Sequence, residues 1–191
     1  MHIADQPRFP PMMTTLRDHR TVTLRLLSPD DGRALGDFYA TLPRATWRFY
    51  CPPRLTHEDA ARTAARATSP TFVCVVAEND AGEIIGYNWY RWKAADRSTS
   101  VFGICLREDA RGLGLGRALM KRLLEIAREV GPPVVSLTVQ LANPRAVALY
   151  RSMGFHVVRE QVRERIGDFP PEPEYYMELS TRDKGESHRG Q

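Results

Sequence analysis

Apolar and polar residues alternate in the first patterned segment of the chain. Between Thr21 and Leu27, apolar Val22, Leu24 and Leu26 alternate with polar neighbours, which is typical of a strand with one buried face. Six later segments with apolar runs or alternation also predict strands, and turn residues at 79–83 predict a hairpin between two of them. These six are Phe72–Glu78, Ile84–Trp92, Thr99–Leu106, Val134–Val139, Phe155–Arg159 and Tyr175–Leu179.

Helical periodicity is strongest between Leu113 and Val130. Apolar residues recur there every three or four positions, and the Gly-Pro-Pro segment at 131–133 ends the pattern. Three further helices are predicted because their first residues are types that favour helix N-termini. One begins at Ser28-Pro29, and the other two cover Thr56–Ala67 and Pro144–Met153.

The order of these elements predicts a mixed α/β fold. A strand, two helices and three strands come first, followed by a helix, a strand, a helix and two strands. Such an order favours a sheet that is largely antiparallel at first and has crossover connections later. The 191 residues, 42% of them apolar, fit one domain. We expect this domain at 21–180, a flexible N-terminal arm at 1–20 and a polar tail at 181–191.

Composition narrows the function classes. The net charge is +4, too small to indicate a nucleic-acid partner, although 107–128 concentrates six basic residues and three acidic ones. The longest apolar run is far shorter than the roughly 20 residues of a membrane helix, so no membrane partner is expected. Cys51, Cys74 and Cys105 lack metal-site spacing, so we expect no metal and a cytoplasmic protein.

A glycine-rich turn precedes the strongest predicted helix. It follows a predicted strand and contains Gly112, Gly114 and Gly116 behind Arg111. Glycines let a ligand approach the backbone, and the free N–H groups of a helix N-terminus favour an anion. The segment matches neither the dinucleotide motif GxGxxG nor the P-loop GxxxxGK[ST]. The turn therefore predicts a binding site for a phosphorylated ligand of another kind.

Two motifs carry a resemblance to a known family. Arg111-x-x-Gly114-x-Gly116 resembles the acyl-CoA pyrophosphate loop of the GCN5-related N-acetyltransferase (GNAT) superfamily. The stretch from Asn143 to Tyr150 matches the second block of that family, N-x-x-A-x-x-L-Y. The resemblance covers 22–179 and implies a mixed, mostly antiparallel sheet of six to seven strands with about four helices. Segments 25–31 and 47–50 further resemble protein acetyltransferase modules.

The resemblance implies a cofactor site for acetyl-CoA or coenzyme A. Main-chain groups of Cys105 and Leu106 would pair with the pantetheine arm between two splayed strands, and Asn143 would donate a hydrogen bond to it. The N–H groups of seven consecutive residues would bind the pyrophosphate. These residues are Arg111, Gly112, Leu113, Gly114, Leu115, Gly116 and Arg117.

The resemblance also implies direct transfer of an acetyl group to a primary amine through a tetrahedral intermediate. Tyr150 matches the family tyrosine that protonates the leaving thiolate. Many relatives carry a glutamate as general base on the strand before the loop, where this chain has Val101. The sequence leaves four alternative bases open. They are Glu83, Glu108, Glu174 and His57.

The acceptor is left open by the sequence. A protein lysine, a protein N-terminus and a small-molecule amine are all compatible with the motifs, as is a monomer or a homodimer. The acids in the proline-rich segment 166–174, which are Asp168, Glu172 and Glu174, either attract a cationic amine or belong to a solvated loop. Because the family glutamate is missing, a regulatory module that binds acyl-CoA without turnover is the alternative function.

Overall fold

The computed structural model describes residues 9–50 and 55–182. Eight strands and five α-helices form the fold within these ranges. The strands are β1 (Met12–Thr15), β2 (Thr21–Leu26), β3 (Phe72–Asn79), β4 (Ile84–Lys93), β5 (Asp96–Leu106), β6 (Val134–Gln140), β7 (His156–Arg163) and β8 (Glu172–Ser180). The α-helices are α1 (Gly32–Ala40), α2 (Arg44–Tyr50), α3 (His57–Ala65), α4 (Leu115–Val130) and α5 (Pro144–Ser152).

The sheet confirms the mixed α/β class and its mostly antiparallel character. Its order is β1-β2-β3-β4-β5-β6-β8-β7, and β5 with β6 is the parallel pair. The described residues form eight strands and five α-helices, slightly more than the six to seven strands and about four helices that the resemblance implied. None of the described helices combines the length and apolar character needed to cross a membrane.

The two additional elements are β1 and α2. The prediction of a flexible arm is wrong for Met12–Thr15, which pair with β2, and the flanking Phe9 and Leu16 are buried in the core. Residues 1–8 of that arm, Cys51 and the tail from residue 183 lie outside the described residues. Helix α2 is not predicted from the sequence, because seven residues are too short to establish a helical period.

Local capping fixes where the early helices begin. The Ser28 hydroxyl accepts a hydrogen bond from the Asp30 N–H, and the Asp31 carboxylate accepts one from the Ser28 N–H. Thr56 and Asp59 form the same reciprocal arrangement at the start of α3. These contacts satisfy N–H groups that have no partner within the helix. The sequence predicted the start of α3 at Thr56 correctly, whereas Ser28 caps a short 3-10 helix at Pro29–Asp31 and α1 begins after it, at Gly32.

The sheet has a hydrophobic core on each face. One core lies beneath α4 and α5 and includes Leu119 and Leu123, whereas the other lies beneath α1 and α3 and includes Leu35 and Phe38. Since both faces are covered, the central strand β3 is buried from Phe72 to Ala77 without alternation. The side of the sheet that carries α1 to α3 also contains the large cavity described below.

The parallel pair β5–β6 separates part of the way along its length. Its residues pair at three positions, of which Val101 with Ser136 is the last. Beyond this point β5 continues to pair with β4 as far as Leu106, and β6 continues to pair with β8 as far as Gln140. The two strands therefore diverge and leave a gap in the middle of the sheet.

Candidate active site

The glycine-rich turn joins β5 to α4 beside the gap. Gly112 and Gly114 adopt positive φ values of 77° and 96°, a region that glycine occupies without steric cost. A Cβ placed on either residue would meet no heavy atom within 4 Å, so the outer surface of the turn is open. Open space and left-handed backbone together leave room for a ligand to lie against the main chain.

The N-terminus of α4 offers hydrogen-bond donors to such a ligand. Gly114 is its N-cap residue, and no side chain caps the helix. The first N–H groups of an α-helix have no partner within the helix, and its dipole favours negative charge at this end. Because α4 is 16 residues long, its first turn is a well-formed site for a phosphate group.

Gly116 has a different role from the other two glycines. It lies inside α4, where a Cβ would come within 3.3 Å of Leu149 Cδ2 and 3.4 Å of Leu106 Cδ1. A hydrogen atom at this position lets the first turn of α4 pack closely against α5 and the end of β5. Gly116 therefore determines where the helix N-terminus lies relative to the gap.

The two arginines of the motif hold protein groups. Arg111 donates from Nε to the Leu106 carbonyl at 3.2 Å and from its terminal nitrogen to the Thr46 hydroxyl at 2.7 Å. Arg117 donates to the Ser152 hydroxyl at 2.7 Å. Their guanidinium groups thus hold the turn in place through hydrogen bonds to β5, α2 and α5. The N–H groups of the turn are then the groups that can donate to an anion.

Asn143 begins α5 as its N-cap residue. Its side-chain oxygen accepts a hydrogen bond from the Ala146 N–H at 3.3 Å, and Pro144 occupies the first helical position. The side chain is half-buried. The predicted start of a helix at Pro144 is confirmed, and the contact of Asn143 with a cofactor stays a prediction.

Tyr150 is a buried residue that lines a cavity. Its ring packs edge-on against Phe102, with centroids 6.2 Å apart, and beside Phe155. The side chain is 7% exposed, and burial raises the pKa of its hydroxyl well above the ordinary value. No described residue forms a hydrogen bond with this hydroxyl. The hydroxyl therefore keeps its proton and is available as a donor.

The cavity has a volume of about 710 Å³ and lies between the sheet and the helices α1 to α3. This is within the size range of small-molecule sites. Residues on both sides of the gap line it, Gly103 and Ile104 from β5 and Leu137 and Thr138 from β6. Tyr150 lines the same cavity. Because β5 leads through the glycine-rich turn into α4, the gap beside β5 lies between this cavity and the N-terminus of α4.

Glu174 is the one sequence candidate for a general base that lines this cavity in the described part of the chain. It is 4% exposed and accepts a hydrogen bond from Gln161 Nε2 at 2.7 Å. Asp59 also lines the cavity, but its carboxylate caps α3 and pairs with Arg62. Val101 lies in the lining with no carboxylate, as the sequence indicated.

The other base candidates lie outside the cavity. Glu83 is exposed and pairs with Arg107, and Glu108 is an exposed residue of the turn. His57 is exposed and contacts Asp37. None of these three side chains contributes to the cavity lining, so the structure separates Glu174 from the alternatives that the sequence left open.

The segment 166–174 differs from the solvated loop considered above. Glu172 and Glu174 belong to β8 and are buried, whereas Asp168 is exposed and pairs with Arg44. Glu172 accepts a hydrogen bond from Arg48 Nε at 2.9 Å and pairs with Arg163. These ion pairs hold α2 against β8 and so close one side of the cavity.

A chain of aromatic hydroxyl groups forms the wall of the cavity opposite β6 and β8. Trp89 donates to the Tyr50 hydroxyl at 2.8 Å, Tyr50 contacts the Tyr87 hydroxyl, and Tyr39 donates to Tyr87 at 3.0 Å. Burial raises the pKa of Tyr39 to about 12 and raises the pKa of Tyr50 well above its ordinary value. This wall is not predicted from the sequence. The one sequence feature that pointed to it is the alternation of Tyr87 and Trp89 on one predicted strand.

The two described cysteines are core residues. Cys74 and Cys105 are buried free thiols, and burial raises the pKa of Cys105 to about 12. Cys105 packs with the core beneath α1 and α3, which leaves its main-chain groups at the end of β5 next to the turn. Its thiol is therefore a structural group of the core.

The sequence matches the profile of a family described as the acetyltransferase (GNAT) family over residues 36–155. An L-methionine sulfoximine/L-methionine sulfone acetyltransferase from Pseudomonas aeruginosa is 34% identical over 98 residues, which cover 49% of this chain and 57% of that protein. A mycothiol acetyltransferase from Propionibacterium freudenreichii is 33% identical over 112 residues, 56% of this chain and 35% of that protein. The matches thus span about half or less of these relatives.

Solved structures share the fold at low identity. The GNAT domain of S. lividans PAT superposes with a TM-score of 0.73 at 20% identity, over 92% of this chain and 98% of that one. Spermidine N-acetyltransferase from Vibrio cholerae, in complex with CoA and spermine, gives a TM-score of 0.70 at 20% identity, over 84% and 95% of the two chains. At this identity the likeness concerns the fold alone.

Proposed function

Because this chain belongs to the acetyltransferase (GNAT) family, we propose that it transfers an acetyl group from acetyl-CoA to a primary amine. The observation that carries the proposal is the gap between β5 and β6, which links the uncapped N-terminus of α4 to the cavity of Tyr150 and Glu174. One end of this arrangement suits a polyphosphate, and the other end holds a proton donor and a carboxylate.

Acetyl-CoA supplies the acetyl group as an activated thioester when it is bound. The N–H groups from Arg111 to Arg117 would hold its pyrophosphate, since the turn is open and the helix is uncapped. The unpaired edges of β5 and β6 beyond Val101 and Ser136 would receive the pantetheine arm as an added strand. Main-chain groups of Cys105 and Leu106, and the Asn143 side chain, are the proposed polar partners.

Glu174 is the proposed general base. A primary amine with a pKa near 10.4 is mostly protonated at neutral pH and has no free electron pair for attack. A carboxylate that is buried and faces the cavity can accept the proton from the amine directly or through a water molecule. Gln161 holds one oxygen of Glu174, so the other is free to point at the acceptor.

Tyr150 is the proposed general acid. Burial keeps its hydroxyl protonated at neutral pH, and no described residue competes for that proton. Tyr150 lines the cavity together with residues of β5 and β6 on both sides of the gap, and a departing thiolate there would need a donor. The cavity then has its proposed proton acceptor on β8 and its proposed proton donor on α5.

Binding and turnover measured together test this proposal. We expect coenzyme A to bind in a calorimetric titration, and an amine panel that includes small amines, a lysine peptide and a protein N-terminus to drive release of coenzyme A from acetyl-CoA. Mass spectrometry of the acceptor should show one added acetyl group. Tight binding of coenzyme A without turnover of any amine would overturn the proposal in favour of a non-catalytic binding module. Absence of binding would overturn the placement of the turn as well.

A further inference from the structure

Two arginines line the cavity on the opposite side of the gap from Glu174. Arg66 follows α3, and its guanidinium lies 4.5 Å from the centroid of the Phe72 ring. Arg91 lies on β4 as the cross-strand partner of Phe72, and its guanidinium lies 5.0 Å from the centroid of the Trp89 ring. Each guanidinium is therefore supported by an aromatic face, which restricts its orientation.

Neither guanidinium has an acidic partner in the described ranges. The other arginines of the cavity lining are paired, Arg62 with Glu58 and Asp59 and Arg163 with Glu172. No carboxylate of the described residues lies within ion-pair distance of Arg66 or Arg91. Burial and the neighbouring charge of Arg91 lower the pKa of Arg66, so the two like charges oppose each other. A bound anion would remove that opposition.

Arg91 lies in the row of the sheet at which the gap begins. Arg91 pairs with Val101, and Val101 pairs with Ser136 in the last row before β5 and β6 diverge. Glu174 lies on β8, so both β5 and β6 separate it from Arg91. The cavity therefore has two arginines without an ion-pair partner among the described residues on the β4 side of the gap, and the Glu174 carboxylate on the β8 side.

We propose that Arg66 and Arg91 form a carboxylate subsite, and that the acceptor is a small amine that also carries a carboxylate. This inference rests on the function proposed above and specifies its substrate class. The carboxylate would accept charge-assisted hydrogen bonds from the two guanidinium groups. The amino group would then extend across the gap towards Glu174 and Tyr150, where its proton can be removed.

Matched acceptors test the subsite. Each amino acid of a panel, beginning with L-methionine sulfone, is compared with its own carboxamide, and a polyamine is added as a purely cationic acceptor. The wild-type enzyme should have a KM about 10- to 100-fold lower for the acid than for the amide, the range expected for charged hydrogen bonds. Equal use of acid and amide, or preference for the polyamine, would overturn the inference.

Variants assign the effect to the two arginines. Arg66→Gln and Arg91→Gln should each raise KM for the acid about tenfold or more, leave KM for the amide unchanged and change kcat little. Arg91→Lys should restore part of the affinity. Arg62→Gln is the matched control, because this arginine lines the same cavity but is already paired. An equal effect of the control variant would show a general loss of positive charge and contradict a defined subsite.

A binding measurement separates this inference from the proposed function. The amino acid and its amide are titrated calorimetrically into the protein saturated with coenzyme A. Preference for the acid that is lost in Arg66→Gln and Arg91→Gln supports the subsite even when no amine is acetylated, a result that would refute only the proposed activity. Turnover of amines with no effect of either variant on acid affinity would refute the subsite and leave the activity standing.

Discussion

The glycine-rich turn and the cavity are built in different ways. The turn is a contiguous segment whose outward donors belong to the backbone, with Gly112 and Gly114 in left-handed conformation ahead of an uncapped helix. The cavity is built from side chains of all three early helices and of six strands that are far apart in sequence. In the proposed function, the turn would bind the phosphorylated cofactor by its backbone, whereas the side chains of the cavity would select the acceptor.

Because of this difference, substitutions should cause either a loss of cofactor affinity or a loss of turnover and acceptor preference. A change in the turn should weaken cofactor binding and leave the cavity intact. A change in the cavity should alter turnover or acceptor preference and leave cofactor affinity intact. Cofactor binding depends on the backbone geometry of the turn, and turnover depends on the side chains of the cavity. Substitutions in the two regions should therefore change different measured quantities.

The largest effect is expected from Gly114→Glu. A side chain at φ 96° strains the N-cap of α4, and a carboxylate there occupies and repels the anion site. We expect coenzyme A affinity to fall more than about 100-fold by calorimetry, in line with the loss of several charge-assisted hydrogen bonds. Gly82→Glu is the control, since Gly82 has φ 77° with equally open surroundings in a distant hairpin. Unchanged affinity in Gly114→Glu would place the cofactor elsewhere.

Tyr150→Phe should produce the opposite signature. The hydroxyl makes no contact that the fold needs, so we expect kcat to fall about 100-fold, within the usual range for a general acid, and coenzyme A affinity to stay within about threefold. Steady-state kinetics and calorimetry on one preparation measure both. Tyr90→Phe removes a buried hydroxyl that donates to Pro132, outside the cavity, and serves as control. Parallel loss of binding and turnover would indicate a structural tyrosine.

Glu174→Gln should give a loss that depends on pH. We expect kcat/KM to fall about 10- to 100-fold near neutral pH, because the amine then keeps its proton. The deficit should shrink as the pH rises towards the pKa of the acceptor, where free amine no longer requires a base. Glu83→Gln is the matched control outside the cavity. A deficit that is constant across the pH range would argue for a positioning role of Glu174.

The smallest expected effect is on stability, at the ion pair that holds α2 over the cavity. The Arg48 guanidinium beside Glu172 lowers the pKa of that carboxyl. The ion pair therefore stabilises the fold above the unfolded pKa of about 4.3, and this stabilisation is lost as the pH falls through the lower pKa of the folded state. Glu172→Gln should lower Tm by a few degrees at neutral pH, and the difference should disappear in acid. Asp168→Asn, at an exposed pair, should leave Tm unchanged. A difference that persists in acid would contradict this origin.

Features set by local sequence were predictable. The N-caps Ser28 and Thr56, the helix α4 and the glycine-rich turn all depend on residues a few positions apart. Each is stabilised by contacts within its own segment or by one amphipathic face. For this reason the fold class followed from the sequence and its two family motifs, and the cofactor-binding role of the turn stays a prediction.

Features stabilised by distant partners were not predictable. Helix α2 is held by Arg48 on Glu172, and β1 forms only because β2 offers it an edge. The prolines around Glu174 indicated a loop, but pairing with β6 places this residue in a buried strand. The choice of Glu174 among the four candidate bases, and the position of Arg66 and Arg91 in one cavity, therefore depend on the folded chain.

A structure of the protein with bound coenzyme A tests the central claim most directly, that the turn and the cavity are two halves of one site joined by the gap. The account predicts the pyrophosphate on the N–H groups between Arg111 and Arg117. It also predicts the pantetheine arm between β5 and β6, and the sulfur within hydrogen-bond distance of the Tyr150 hydroxyl. A pyrophosphate bound away from α4, or a sulfur directed away from the cavity of Tyr150 and Glu174, would contradict it.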